Sequence, residues 1–259
     1  MSAGGVPPGY TLRRVGAARL VVRDALADVV AAALRDPRGS ERTLYDYARQ
    51  HPRARPLAGR ATAYAAPLPD DATPVVVRHS RHGGLLAPLT GDRFLAPTRA
   101  PRELAASLRL AAAGVPTPEV VAHATYPAGP PLLRLADVAT REVARARDLG
   151  DALLARPSAG EVARLLDATA ALLRALAAAG AWHPDLNVKN VLLADDGARV
   201  VAYVLDVDRV VFRRPGDPSV ARRNLARLAR SARKWRERRG AALDERDLAA
   251  LAKLAGLDT

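Results

Sequence analysis

Between Gly180 and Arg209 the chain sets two short apolar runs against two polar clusters, and this pattern constrains the fold more than any other segment. Trp182-His183-Pro184-Asp185-Leu186-Asn187-Val188-Lys189-Asn190 leads into Val191-Leu192-Leu193, and the run Val200 to Leu205 ends on Asp206-Val207-Asp208. Two apolar runs of strand length after a long helical stretch predict a hairpin, with its polar residues at turns where side chains can enter a cleft. The first cluster fits H-x-D-x-x-x-x-N. Phosphoryl transfer needs a carboxylate that orients an attacking hydroxyl and accepts its proton, and oxygen ligands that hold magnesium on nucleotide phosphates. Asp185 suits the first task, and Asn190 with Asp206 suits the second. The bland alternatives are that His183 and Asp185 stabilise a turn and that Asp206 pairs with Arg209.

Composition removes several other classes. With 259 residues the chain can build one or two domains with a substantial core. No run of about 18 apolar residues lacks charge, so no spanning helix is expected. Met1 to Tyr10 has no basic region followed by an apolar core, so a secretory signal is not expected and a cytoplasmic location is. The absence of cysteine excludes disulfides, thiolate zinc sites and cysteine nucleophiles. A net charge of +13 attracts phosphates, nucleic acid or an anionic membrane surface without choosing among them. Lysine occurs only at Lys189, Lys234 and Lys253, so arginine enrichment reads as compositional bias. Aromatic residues make up 4% and are not interleaved with the basic stretches, so no nucleic-acid partner is expected.

Along the chain, Tyr10 to Arg23 reads as a hairpin, with Asp24 capping a helix from Ala25 to Leu34. Arg35 to Pro56 has no clear periodicity and is expected to cross the surface. Leu57 to Pro67 and Thr73 to His79 read as strands about the turn Pro69-Asp70-Asp71. Pro101 to Ala113 reads as a helix closed by Gly114. Val120 to Ala124 and Pro131 to Leu135 are further strands. Ser158 with Glu161 forms a capping box for a helix running to Ala179, and Arg222 to Arg239 and Asp244 to Ala255 end the chain as helices. This order predicts an α+β, bilobal protein kinase-like fold. Residues 1–50 form an N-terminal extension packed on the N-lobe, 51–135 the strand-rich N-lobe and 136–259 the mainly helical C-lobe.

The N-terminal strands should supply a cation for the nucleotide phosphates, paired to a helix carboxylate. No lysine precedes Lys189. Arg78, in Val75-Val76-Val77-Arg78-His79, is the best substitute, with Glu103 as its partner; a solvent-facing arginine and an exposed helix glutamate are the alternatives. Gly59 is the one glycine of the segment Leu57 to Tyr64, where a phosphate-covering loop belongs, and allows close backbone approach. His79 and His82 lack a third ligand for zinc, so His79 to Gly84 reads as a basic substrate-contacting loop. Val207 and Asp208 stand where regulated protein kinases carry Phe and Gly, which argues against their mobile switch.

These segments together resemble the lipopolysaccharide kinase family from about Tyr10 to Leu254. Val77 to Leu85 is similar to the family's arginine-rich strand and double-glycine turn. Thr98-Arg99 with Glu103, then Gly114 to Pro118, is similar to its helix and the Pro-containing entry to the next strand. His183-Pro184-Asp185-Leu186-Asn187 with Asn190, Leu205 to Arg209, and Asn224-Leu225-Ala226-Arg227-Leu228 complete the likeness. The resemblance implies ATP-dependent, Mg2+-supported transfer to a sugar hydroxyl of the lipopolysaccharide inner core, with Kdo linked to lipid A as acceptor. It places Asp185 as base and Asn190 and Asp206 on the metal. The substrate is then lipid-linked, at the cytoplasmic face of the inner membrane, where the basic helix Arg222 to Arg239 could approach anionic lipid. The alternatives are a soluble phosphotransferase of aminoglycoside or fructosamine kinase type, a kinase-like binding protein without turnover and, on charge alone, a nucleic-acid-binding module.

Overall fold

The computed structural model describes residues 5–57, 62–80, 94–95 (backbone only), 98–129, 133–195 and 197–257. Gly59, His82, Gly83 and Gly84 lie outside the described residues. The chain divides into two compact units, Met1–Ala105 with Glu119–Glu142 and Ala106–Pro118 with Val143–Thr259.

The first unit is built on an antiparallel sheet. Its strands are β1 (Tyr10–Val15), β2 (Ala18–Arg23), β3 (Arg55–Leu57), β4 (Ala63–Pro67), β5 (Pro74–His79), β6 (Phe94–Leu95), β7 (Val120–Pro127) and β8 (Leu133–Arg141). The spatial order is β1-β2-β7-β8-β5-β4-β3, with β6 also pairing β8. Helices α1 (Ala27–Ala33) and α2 (Leu44–Gln50) belong to the same core: Val30, Leu34, Leu44 and Ala48 pack with Leu20, Val22, Val75, Val77 and Val121. Residues 10–50 thus supply β1 and β2 to the sheet and α1 and α2 to its core.

Several boundaries differ from the sequence reading. Asp24 opens a short 3-10 turn and caps nothing with its side chain, so α1 starts at Ala27. The segment expected to cross the surface contains α2, which is too short to show a period. It buries Leu44, Tyr47 and Ala48, and Thr43 accepts the Asp46 N–H as its cap. Strand β8 continues past residue 135 to Arg141, pairing both β7 and β5, and the unit boundary falls after Glu142. The turn before β5 is locally encoded: Asp70 accepts the N–H groups of Ala72 and Thr73, and Asp71 is left-handed at φ 56°.

Helix α3 (Ala100–Ala112) is divided between the units after Ala105. The rest of the second unit comprises β9 (Ala146–Asp148), α4 (Leu149–Leu154), α5 (Ala159–Ala178), β10 (Ala181–Trp182), β11 (Val191–Asp195), β12 (Val200–Val204), β13 (Val211–Phe212), α6 (Pro218–Arg239) and α7 (Glu245–Leu254). Helix α5 opens on the predicted capping box, in which Ser158 and Glu161 each satisfy the other's backbone N–H. One apolar cluster fills this unit, with Leu165, Leu172, Leu173 and Leu176 of α5 against Val191, Leu193, Val204, Leu228, Leu248 and Leu251.

Candidate active site

The hairpin is set by what happens at Gly180. Its φ is 64°, and a Cβ there would lie 2.5 Å from the Arg213 carbonyl, so the chain can turn back against residues 213–214 only with glycine. Strand β10 then pairs β13, with Trp182 opposite Val211. Strands β11 and β12 are antiparallel with Val191 opposite Val204, and the Leu205 N–H continues the ladder to the Asn190 carbonyl at 3.0 Å. That register brings Asn190 and Asp206 to the same end of the hairpin. Asp206 is left-handed, with φ 54° and ψ 48°. This conformation costs an L-residue roughly 1 kcal/mol or more, and backbone strain of this kind clusters at functional sites.

His183 fastens the first motif to the second. The ring is buried, its Nδ1 accepts the Asp185 N–H at 3.2 Å, and its Nε2 donates to the Leu205 carbonyl at 2.9 Å. With Nδ1 accepting, the ring proton sits on Nε2. His183 is thus a brace between the loop and the peptide that precedes Asp206. The Asp185 carbonyl accepts two amide hydrogens, from Asn187 Nδ2 and Asn190 Nδ2, both at 2.9 Å. Asn187 also accepts the Lys189 N–H through Oδ1, so both ends of this amide are used inside the loop. With its nitrogen committed, the Asn190 amide turns its oxygen away from the Asp185 carbonyl.

Helix α6 supports the loop turn by turn. Asn224, fully buried, accepts the His183 N–H at 3.0 Å and donates to the Ala181 carbonyl at 2.9 Å. One turn on, Arg227 donates from Nε to the Pro184 carbonyl at 2.9 Å and from Nη2 to Asp185 Oδ1 at 2.7 Å. Ser231 Oγ accepts the Val188 N–H at 3.3 Å. Trp235 lies against Gly150, where a Cβ would sit 2.7 Å from the indole. Lys189 completes this side, with Nζ 2.6 Å from Asp148 and 3.1 Å from Asp151. Burial alone lowers the Lys189 ammonium, but Asp148 and Asp151 outweigh it and hold the group above its ordinary value. Burial pushes the Asp148 carboxyl up, against the pull of Lys189.

In the first unit Arg78 of β5 is ion-paired with Glu103 in the first turn of α3. The Glu103 side chain is 7% exposed and that of Arg78 31%, so the acid is a buried anchor and the guanidinium reaches solvent. Next to it, His79 Nδ1 is 2.6 Å from Oδ1 of the fully buried Asp137, directly across the β5–β8 ladder. The second Asp137 oxygen accepts the Tyr45 N–H at 2.9 Å. The structure thus joins Arg78 to Glu103, sets Asn190 and Asp206 at the same end of the hairpin and bonds the Asn190 amide to the Asp185 backbone carbonyl, while Gly59 falls outside the described residues.

Sequence reasoning gave no individual role to Arg227, Asn224, Asp137 or Asp148. For Arg227 and Asn224 the signal lay in the quoted segment Asn224 to Leu228, where spacing of three along a helix puts both on the face that meets the loop. For Asp137 the signal was a lone acid inside an apolar run, which is unusual unless it has partners.

A family model described as the lipopolysaccharide kinase (Kdo/WaaP) family matches residues 54–253. A 3-deoxy-D-manno-octulosonic acid kinase of Vibrio parahaemolyticus is 32% identical over 75% of this chain and 78% of its own length. The enzyme of the same name from Stenotrophomonas maltophilia is 31% identical over 77% and 78%. Among solved structures, WaaP in complex with acyl carrier protein superposes with a TM-score of 0.57 at 20% identity, covering 93% of this chain and 90% of that one, which shows a shared fold. The sheet-rich first unit and helical second unit are those of a kinase-like α+β fold, and the chain belongs to the lipopolysaccharide kinase (Kdo/WaaP) family.

Proposed function

We propose that this chain transfers the terminal phosphoryl group of ATP to a hydroxyl of a lipid-linked inner-core sugar, with 3-deoxy-D-manno-octulosonic acid on lipid A as acceptor. The observation that supports this reading is the hairpin end that carries Asn190 and Asp206, with the Asn190 amide bonded to the Asp185 carbonyl, in a chain similar to enzymes named for that sugar. Asp185 is the base: Arg227 occupies its Oδ1, and Oδ2 has no protein partner among the described residues. That oxygen is the one free to accept the acceptor's proton. Asn190 and Asp206 would hold magnesium, which neutralises charge on the phosphates when bound. Hard oxygen donors of this kind suit that ion. Phosphate oxygens of the nucleotide and water would complete the coordination of an ion held by these two residues. Arg78, positioned by Glu103, serves the phosphates in place of the usual lysine, and Gly59 belongs to the loop that covers them.

Work at the cytoplasmic face of the inner membrane follows from a lipid-linked acceptor. Among the described residues no helix is long and apolar enough to cross a membrane. The exposed residues Arg222, Arg223, Arg230, Lys234 and Arg238 of α6 offer positive charge to anionic headgroups.

The test is to incubate the purified protein with labelled ATP, magnesium and a lipid A precursor carrying the sugar, and to locate any phosphate by mass spectrometry. Phosphate on a hydroxyl of that sugar is the expected outcome. Transfer only to soluble aminosugars or fructosamines, or nucleotide binding with no transfer, overturns the reading.

A further inference from the structure

We infer that Arg227 is a positioning residue for the catalytic carboxylate, fixing the rotation of the Asp185 side chain so that Oδ2 is the oxygen presented to the acceptor hydroxyl. The inference deepens the proposed function and rests on its assignment of Asp185 as base.

Among the described residues, every other hydrogen bond to Asp185 is made to its backbone. The N–H is taken by His183, and the carbonyl is taken by the amides of Asn187 and Asn190. These bonds locate Cα but leave the carboxylate free to turn about its two side-chain torsions. Arg227 is the contact that restrains those torsions among the described residues. It does so from a rigid base: Nε is bonded to the Pro184 carbonyl and Nη2 to Asp185 Oδ1, and because guanidinium is planar, two bonded nitrogens fix its orientation. The arginine itself is placed by α6, between Asn224 one turn before and Ser231 one turn after, both bonded to the same loop.

The exposure of the pair separates a positioning role from a structural one. Arg227 and Asp185 side chains are 37% and 32% exposed, and an ion pair as open as this contributes little to stability. Orientation is different: a small misplacement of a reacting group can cost about two orders of magnitude in rate. Lysine cannot substitute, since a single ammonium cannot hold the Pro184 carbonyl and the carboxylate in one plane.

The experiment uses the full-length protein as Arg227→Ala, Arg227→Lys and Asp185→Ala, assayed for phosphoryl transfer to the lipid-linked sugar with thermal unfolding in parallel. For Arg227→Ala, kcat falls about 10- to 100-fold with the KM for ATP unchanged and the unfolding midpoint within error of the parent. Arg227→Lys recovers only a minor part, and adding guanidinium ion to Arg227→Ala at sub-denaturing concentration restores turnover. Three results overturn the inference: parental kcat in Arg227→Ala, a rise in kcat, or a fall accompanied by a lower midpoint and no guanidinium rescue. Asp185→Ala separates the two claims. If it still turns over, the assignment of the base is wrong; if it is inactive while Arg227→Ala is normal, only the positioning role is lost.

Discussion

In the second unit Asp185 and Asn190 are held by hydrogen bonds made within a few residues of each other and by one helix face, whereas in the first unit Arg78 meets Glu103 across 25 residues through an ion pair. Much of the polar bonding around the loop goes to backbone groups: Asn187 uses both ends of its amide, His183 both ring nitrogens, and Asn224 of α6 both amide atoms. The β5 arginine instead keeps a partly exposed guanidinium over a buried acid. A loop saturated with backbone bonds stays in place when one side chain is removed. A cation anchored on a buried acid shifts when that acid is removed. The two regions should therefore fail differently.

The largest effect is expected at Asp185. Asp185→Ala lowers phosphoryl transfer by about three orders of magnitude or more, by removal of the proton acceptor. The unfolding midpoint stays near that of the parent, because the loop is braced through backbone atoms the substitution retains. A turnover assay beside a melting curve checks both, and a collapsed fold would show that the loop depends on this carboxylate after all.

Asn224→Ala tests the brace. It strips two hydrogen bonds from a fully buried position and leaves the His183 N–H and Ala181 carbonyl unpaired, at a cost of about 3 kcal/mol. Denaturant titration measures that loss. A change below about 1 kcal/mol would mean water enters and replaces the amide.

The first unit has its own acid weakness at His123 of β7. Burial draws its ring down from the ordinary 6.5 to about 4, and Nδ1 has no hydrogen-bond partner among the described residues. The unfolded chain takes up the proton first, so the stabilising contribution is intact above about pH 6.5 and is lost as pH falls toward 4, by roughly 3 kcal/mol in all. In His123→Leu the drop in melting temperature between pH 7 and pH 4.5 becomes smaller than in the parent. An unchanged drop would place the acid sensitivity elsewhere.

The smallest effect is expected from the partly exposed cation. Arg78→Ala raises the KM for ATP about tenfold with a lesser effect on kcat, and Glu103→Gln gives part of the same change by releasing the guanidinium. Equal KM values in parent and both variants would make the pair purely structural and sharpen the contrast with the hairpin.

The hairpin was legible because its residues are close in sequence: the apolar runs that follow H-x-D-x-x-x-x-N and precede Asp206 need only a two-strand register to pair. The capping box of α5 and the Asp70 turn were legible for the same reason, since both are local hydrogen-bond patterns. Helix α2 was not, since its seven residues give too few turns for a period to appear, and its buried face is defined by Leu20, Val75 and Val77 from other strands. The length of β8 was missed because pairing on both sides, with β5 and β7, carries it beyond what its composition suggests.

Order and chemistry along the chain determined by themselves that a helix, a hairpin and two polar clusters would form. Only tertiary structure decided who supports them: Arg227 on Asp185, Asn224 on the loop backbone, Glu103 under Arg78 and Asp137 beneath His79. The physical reason is range. Local hydrogen bonding and hydrophobic periodicity act over a few residues and can be read in order, but the partner of a buried or catalytic charge is chosen by whichever helix or strand the packed core brings alongside it.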